Sequence, residues 1–561
     1  MSTLRLRGGR VIDPVHPGSG ELRDLGVRDG RIVALPPDAP VDQEIDARGC
    51  LVMAGGIDLH SHIGGGKVNL ARLLLPELQR REAEAARGRP ANPLEWPSCG
   101  GCAPGTLATG YRYAEMGYTA AFEPAMSAGN ARQAHLEMGD VPILDHGAYV
   151  MLGNDELLLR LLHDGAPPEL LRDAVGHTVA ATRAMGVKVV NPGGISAFKF
   201  NQRRLDVDEA HVHWGVTPRR IVQALARAVH ELGLAHPLHI HASNLGVAGN
   251  IGSTLATIDA LEGLRGHLTH VQFHAYGDDG PKKFSSAALR LAEKVNATPN
   301  VSIDVGQVLF GQTVTASGDT MRQFAQSGFA HPRKSVIADL ECDAGCGVVP
   351  FRYREPSYVN ALQWSIGLEL FLQCRDPWRI VLTTDHPNGA PFTSYPHLIR
   401  LLMDKDFRDA QLARLHPDVA AQSALRDIRR ELTLDEVAIL TRAGPARLLG
   451  LADRGHLGPG AVADVAVYRE AADPEATFSR AAWLLKDGRP VVRDGQVIDT
   501  PAGGVHFATP AYDEAAGEAL PERAGGYLAE TLRLQPIGHD ELCACCHGAR
   551  LLPSACEARP L

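Results

Sequence analysis

Histidines two apart recur in this chain, and their placement says more than their number. Three His-x-His pairs occur, His60/His62, His211/His213 and His239/His241, among 24 histidines in 561 residues. Random order gives about one such pair, so the spacing alone carries little. On a strand, residues two apart share a face, and two neutral imidazoles on one face can bind a divalent metal ion. His60 and His62 end the run Leu51–His62 and lead into Gly64-Gly65-Gly66, the setting expected at the C-terminal face of a barrel. His211/His213 sits beside Asp206, Asp208 and Glu209 and reads as a solvated loop.

Other chemistry-bearing residues close other apolar runs. His239 and His241 end Pro237–Ala242, His270 and His274 end Leu268–His274, and Asp385 ends Ile380–His386 just before Pro387. Histidine cannot bridge two metal ions, so a two-metal centre needs a further group. Only nine of the 56 basic residues are lysine, which makes a lysine inside an apolar run conspicuous. Burial lowers an amine's pKa, and the neutral amine can capture carbon dioxide as a carbamate, a long-armed carboxylate able to span two cations. Lys199, in Gly194-Ile195-Ser196-Ala197-Phe198-Lys199-Phe200, is the candidate, and Lys188, in Gly186-Val187-Lys188-Val189, is its rival.

Eight strand-like runs are expected to position these groups: Leu51–His62, Tyr118–Pro124, Val141–Tyr149, Ile195–Phe200, Pro237–Ala242, Leu268–His274, Val301–Val308 and Ile380–His386. Helical patterns such as Pro218–Leu232, Ser285–Val295 and Tyr358–Leu372 separate most of them. The alternation predicts an α/β protein with a (β/α)8 TIM-like barrel over 56–439, with insertions near 66–115 and 311–357. A doubly wound sheet is the alternative, but the first strand ends in His-x-His where a Gly-rich phosphate loop would stand. Short β patterns at 1–55 and 440–505, with turns at Asp29-Gly30, Asp487-Gly488 and Asp494-Gly495, predict one small β-sandwich domain built from both chain ends. Residues 506–561 form an extension expected to contact a partner.

Composition excludes several function classes. A net charge of -9 argues against nucleic acid. No run of 18 apolar residues and no signal-peptide pattern occur, so a cytoplasmic protein with no membrane association is expected. The ten cysteines then read as thiols rather than a disulfide framework. Neither Cys99-Gly100-Gly101-Cys102 nor the tail Cys543-Ala544-Cys545-Cys546-His547 with Cys556 has the paired spacing of a zinc finger.

Asp58-x-His60-x-His62, a strand-four lysine, histidines on strands five and six and Asp385 together resemble the amidohydrolase superfamily. Gly194 to Lys199 resembles the hydantoinase segment that carries the carboxylated lysine. A narrower resemblance runs through His60–Asn69, Val190–Gly194, Leu268–Gly277 and Thr384–Gly389: these strings are similar to the A-type subunit of formylmethanofuran dehydrogenase and to its bacterial relative in the formyltransferase/hydrolase complex. That resemblance implies a binuclear metal-dependent amidohydrolase that cleaves the N-formyl amide of a methanofuran-type coenzyme to formate and free amine. The implied ligands are His60, His62, His241, His270, Asp385 and N6-carboxylysine at Lys199. They would hold two Zn²⁺ ions, with other divalent metals compatible with the same donors. On the fifth run His241 resembles the superfamily ligand better than His239, and on the sixth His270 is preferred over His274. Asp385 is the implied general base and then acid. Lys67, Asn69, His274 and Tyr276 are candidate substrate contacts, and sister subunits including a formyltransferase are the implied partners. A hydantoinase-type cyclic amide hydrolase and a non-catalytic scaffold protein are the rival expectations.

Overall fold

Parallel strands covered on both faces read as nearly continuous apolar runs, and Tyr118–Met126 is buried at every position but one. A computed structural model describes residues 3–75, 77, 78, 80, 84, 101–202, 204–317, 338–340, 346–545 and 550–561. Eight parallel strands pair in chain order: β1 (Gly56–Asp58), β2 (Tyr118–Met126), β3 (Asp145–Leu152), β4 (Gly186–Val190), β5 (Leu238–His241), β6 (Gly266–Leu268), β7 (Val301–Asp304) and β8 (Ile380–Val381). A parallel bridge between Ser61 and His386, where the His62 N–H donates to the His386 carbonyl at 3.0 Å, returns the last strand to the first. Between β4 and β5 runs helix α1 (Pro218–Glu231), with the Thr217 hydroxyl accepting from the Arg220 N–H and proline in the first turn. Its Ile221, Val222, Leu225 and Val229 recur at helical spacing and are buried in the core.

Two expected strands differ from what the chain forms. Leu51–His62 is two elements: Cys50–Ala54 belongs to the sheet shared by the chain ends, and only Gly56–Asp58 belongs to the barrel. Ile195–Phe200 is not a strand at all. The fourth barrel strand lies earlier, at Gly186–Val190, and Gly194–Lys199 is a short helix. Asn191 and Gly193 turn the chain in left-handed conformations, with φ 44° and 68°. Asn154 Oδ1 then accepts from the N–H groups of Ile195 at 3.0 Å and Ser196 at 3.3 Å, capping the new helix. Barrel strands six and eight are also shorter than expected, ending at Leu268 and Val381, and the loops beyond them pass through left-handed residues, His270 (φ 36°) and Asp385 (φ 50°).

The chain ends meet in one nine-stranded sheet. Thr3–Val11, Leu22–Arg28, Arg31–Val33, Gln43–Asp46 and Cys50–Ala54 come from the start, and Val465–Arg469, Trp483–Lys486, Arg489–Arg493 and Gln496–Val497 from the distal part. The seam is antiparallel, with Val52 opposite Val467, and the hairpin at Asp29-Gly30 forms with Arg28 opposite Arg31. Hydrogen bonding joins these strands into one sheet and does not divide them into the two facing layers of a sandwich. The C-terminal extension adds strand Val505–Ala508 beside His146 of β3, and Leu551–Ser554 pairs with it in parallel. Arg132 fastens the intervening segment, donating to Glu541 at 2.7 Å and to the Leu534 and Pro536 carbonyls at 2.5 Å each. Cys99, Cys546 and His547 lie outside the described residues. No helix among the described residues is long and apolar enough to cross a membrane.

A buried ion cluster ties these parts together. Lys486 Nζ, 1% exposed, contacts Asp145 of β3 at 2.8 Å and Asp464 at 2.9 Å. Arg454 reaches the same two carboxylates at 2.9 and 2.7 Å, and Arg550 of the extension binds Asp487 at 2.5 Å. Burial alone would raise the Asp145 pKa, but Lys486 and Arg454 outweigh it and hold this carboxyl well below the usual range. Breaking such a pair leaves a buried charge uncompensated. Lys486→Met is therefore expected to destabilise the chain by about 3–5 kcal/mol in chemical denaturation; an unchanged midpoint would contradict the joining role of the cluster.

Candidate metal centre

His60 and His62 lie just past β1 rather than on it, and both are buried. Asp58, the last residue of β1, accepts from the His60 N–H at 3.1 Å and from the Tyr113 hydroxyl at 2.7 Å, with the Tyr395 hydroxyl also bonded to it. These contacts fix the turn that aims the two imidazoles. The His62 Nδ1 lies 2.8 Å from Glu123 Oε1 of β2, and the other Glu123 oxygen accepts from the N–H groups of Ile63 at 2.8 Å and Gly64 at 3.2 Å. Burial pushes the Glu123 pKa up, yet His62 and these hydrogen bonds prevail and keep it ionised. An ionised Glu123 accepts from Nδ1–H and leaves His62 Nε2 available as a donor atom.

From the opposite side come His241 at the end of β5 and His270 after β6, their ring centroids 4.6 Å apart. His274 follows on a single turn, 5.3 Å from His241 and 5.4 Å from His270. Asp385, after β8, places Oδ1 3.0 Å from His60 Nε2 and 3.5 Å from His62 Nε2. Its burial is outweighed by His270, His60 and His62, which hold the carboxyl well below its ordinary pKa. Burial also depresses His241 strongly, favouring a neutral imidazole, and pushes His270 the same way against the opposing pull of Asp385. Gly306, at φ 63°, lets these segments converge: a Cβ there would stand 2.4 Å from the His270 Cβ and 3.3 Å from that of Asp385.

The structure places the two candidate lysines in different surroundings. Lys199 ends the short helix after β4 and is exposed. Lys199 therefore lacks the burial on which the carbamate expectation rested. Lys188 has that burial. It sits in mid-β4, only 2% exposed, paired in register with His239 of β5 and Met151 of β3. Burial pushes its ammonium down to about 8, despite opposing pulls from Asp385, Asp304 and Glu123. Its charge is felt by His60, His241 and His270, and it lies on the strand beside the one that carries His239 and His241.

The remaining expectations divide. Lys67, at the start of helix Gly66–Leu73, is half-buried and electrostatically coupled to Lys188 and His241. Asn69 is engaged elsewhere, with its amide donating to Glu137 and accepting from Arg72 at 3.0 Å. Tyr276 is 0% exposed and its hydroxyl accepts from Gln363 at 3.0 Å. His211 is likewise not solvated. It is 1% exposed, and its Nδ1 accepts from the N–H groups of His213 at 3.1 Å and Trp214 at 3.2 Å.

Glu123 and Asp304 are polar groups of the site that sequence reading missed. Asp304, closing β7, accepts from the His270 N–H at 2.9 Å and the Thr383 hydroxyl at 2.7 Å, and lies 3.1 Å from His267 and 3.3 Å from His60. The available signal was a carboxylate in an otherwise apolar run, the same signal that marked Asp385.

The donors present suit divalent metal. Ligand atoms of His241, His270 and His274 lie within 4.8 Å of one another, as do those of His60, His270 and Asp385. The buried His270 Nδ1 has no hydrogen-bond partner among the described residues, an arrangement that costs free energy unless something else satisfies it.

Comparison with known proteins fits this geometry. The amidohydrolase family model matches residues 43–499. The chain is 48% identical over 531 residues to the A-type subunit of the formyltransferase/hydrolase complex Fhc of Methylorubrum extorquens, covering 94% of each chain. It is 39% identical over 514 residues to the protein FwdA of Methanocaldococcus jannaschii, covering 88% of each. A chain in the crystal structure of the Methylorubrum extorquens FhcABCD complex with methylofuran superposes with a TM-score of 0.88 at 45% identity, over 99% of this chain and 100% of that one. Matched over most of its length by the family model and by both relatives, the chain belongs to the amidohydrolase family, in the branch that contains FwdA and its Fhc counterpart.

Proposed function

We propose that this chain is the hydrolytic subunit of a formyltransferase/hydrolase complex, releasing formate and a free amine from an N-formylated furan coenzyme of the methylofuran class. The observation that carries the hydrolytic reading is the convergence of His60, His62, His241, His270 and Asp385, with the buried amine of Lys188 electrostatically coupled to His60, His241, His270 and Asp385. The substrate class and the partner subunits follow from the relatives: the similar Methylorubrum extorquens chain was crystallised within FhcABCD, in complex with methylofuran.

His60, His62 and Asp385 would hold one divalent ion and His241 and His270 the other, with the Lys188 amine, carboxylated, as their shared ligand. Zinc suits these donors. When bound, such ions polarise a carbonyl and acidify a water molecule. The chain's own groups do the rest. Glu123 and Asp58 orient the two histidines after β1. Asp385 is ionised and therefore ready to accept the proton of the attacking water. It then delivers that proton to the departing nitrogen, which is far more basic than a carboxylate. Burial of the whole cluster limits competing water and strengthens each of these interactions.

Asp385→Asn is expected to lower formate release from the formylated furan amine by about 10²–10⁴-fold while the fold persists; turnover like that of the wild type would remove Asp385 from the mechanism. Lys188→Ala is expected to lose metal and to regain part of its activity with added short carboxylates, whereas Lys199→Ala keeps both. Metal content unchanged in Lys188→Ala would refute the carbamate. If the protein opens hydantoin or dihydrouracil and leaves the formamide intact, it is a cyclic amide hydrolase instead.

A further inference from the structure

Three buried histidines form a hydrogen-bonded file running from the barrel floor to the candidate metal donors. His236 Nδ1 is 3.3 Å from the Leu448 carbonyl oxygen, His236 Nε2 is 2.9 Å from His239 Nδ1, and His239 Nε2 is 2.8 Å from His60 Nδ1. All three rings are 0% exposed. Tyr149 flanks the file, stacked on His236 with centroids 4.6 Å apart and its hydroxyl donating to the Leu59 carbonyl at 2.8 Å.

The order of protons along this file is determined from its lower end. A carbonyl oxygen only accepts, so a neutral His236 carries its proton on Nδ1 and presents a lone pair at Nε2. His239 must then donate from Nδ1 and accept at Nε2. His60 in turn donates from Nδ1, which leaves a lone pair on Nε2 only 3.0 Å from the acceptor oxygen of Asp385, a pairing of two acceptors that a cation held between them would reconcile. Asp304 lies 3.3 Å from the same His60 Nδ1 and, ionised, is also an acceptor. The Thr269 hydroxyl, bonded to that nitrogen as well, has lone pairs to offer.

We propose that His239 and His236 are positioning residues that lock His60 in its Nδ1–H tautomer, committing Nε2 to a metal ion. Partners behind a ligating imidazole set both its tautomer and its ring orientation. Here the partner is a second imidazole set by a third, and the whole file is referenced to one backbone carbonyl. This inference rests on the reading of His60 as a metal donor.

The test is zinc affinity of the full-length chain, measured by competition with a chromophoric chelator. His239→Phe removes the acceptor, while His239→Gln keeps an amide oxygen that can accept from His60. The expected result is about 10–100-fold weaker binding of one ion in His239→Phe, near wild-type binding in His239→Gln, and a loss in the same direction in His236→Phe. In the zinc-loaded wild type, nitrogen-15 spectra should find the His60 proton on Nδ1, a readout that needs no variant to fold. Wild-type affinity in His239→Phe overturns the proposal, as does equal weakening in His239→Phe and His239→Gln, or a His60 proton on Nε2. The ligand atoms of His60, His239 and Asp304 also lie within 4.8 Å, so a third zinc ion lost with His239 would overturn it too. If instead the wild type binds no zinc, or His60→Ala keeps both ions, the metal reading itself fails.

Discussion

Everything at the mouth of this barrel depends on burying ionisable groups that must satisfy one another. Lys188, His60, His62, His241, His270, Asp304 and Asp385 are each 5% exposed or less. Removing a lone charge from water is expensive, so such groups stay charged only when paired, or else become neutral. Both outcomes occur here. Asp304 and Asp385 are surrounded by imidazoles and stay ionised, whereas Lys188, His241 and His270 are pushed toward their neutral forms. Ionised carboxylates, neutral imidazoles and a weakened amine are the chemical states that metal coordination and carbamate formation require.

The barrel supplies this arrangement through short strands and abrupt turns. Left-handed residues stand in the loops beyond several of its strands, and they include His270 and Asp385. Residues held in sparsely populated conformations cluster at functional sites because the surrounding packing supports their strain. Asp58 and its two tyrosine partners perform the equivalent task behind His60. At the other end of the barrel, the cluster of Lys486, Arg454, Asp145 and Asp464 fastens the shared β-sheet beneath the barrel.

Much of this was legible in the sequence, and its failures have physical causes. His60, His62, His241, His270 and Asp385 could be found because each ends an apolar run, and seven of the eight expected strands overlap barrel strands of the structure. The fourth failed because Ile195-Ser196-Ala197-Phe198 is apolar enough to pass for a strand. A cap supplied by Asn154, distant in sequence, turned it into a helix. The true strand, Gly186–Val190, is five residues with a lysine in the middle, and no local rule marks such a lysine as inward-facing. His211 was misread for a similar reason: acidic neighbours suggested solvent and the turn after it is exposed, while its own ring is buried and accepts two backbone N–H groups. The pairing of Val505–Ala508 with Leu551–Ser554 is long-range and left no periodic trace.

In the proposed centre Lys188, not Lys199, would carry the carboxylate that joins the two halves of the donor set. Carbon-13 NMR of protein equilibrated with labelled bicarbonate tests it most directly. A carbamate resonance is expected that persists in Lys199→Ala and vanishes in Lys188→Ala. A spectrum without that resonance, or one in which it survives the loss of Lys188, would contradict it.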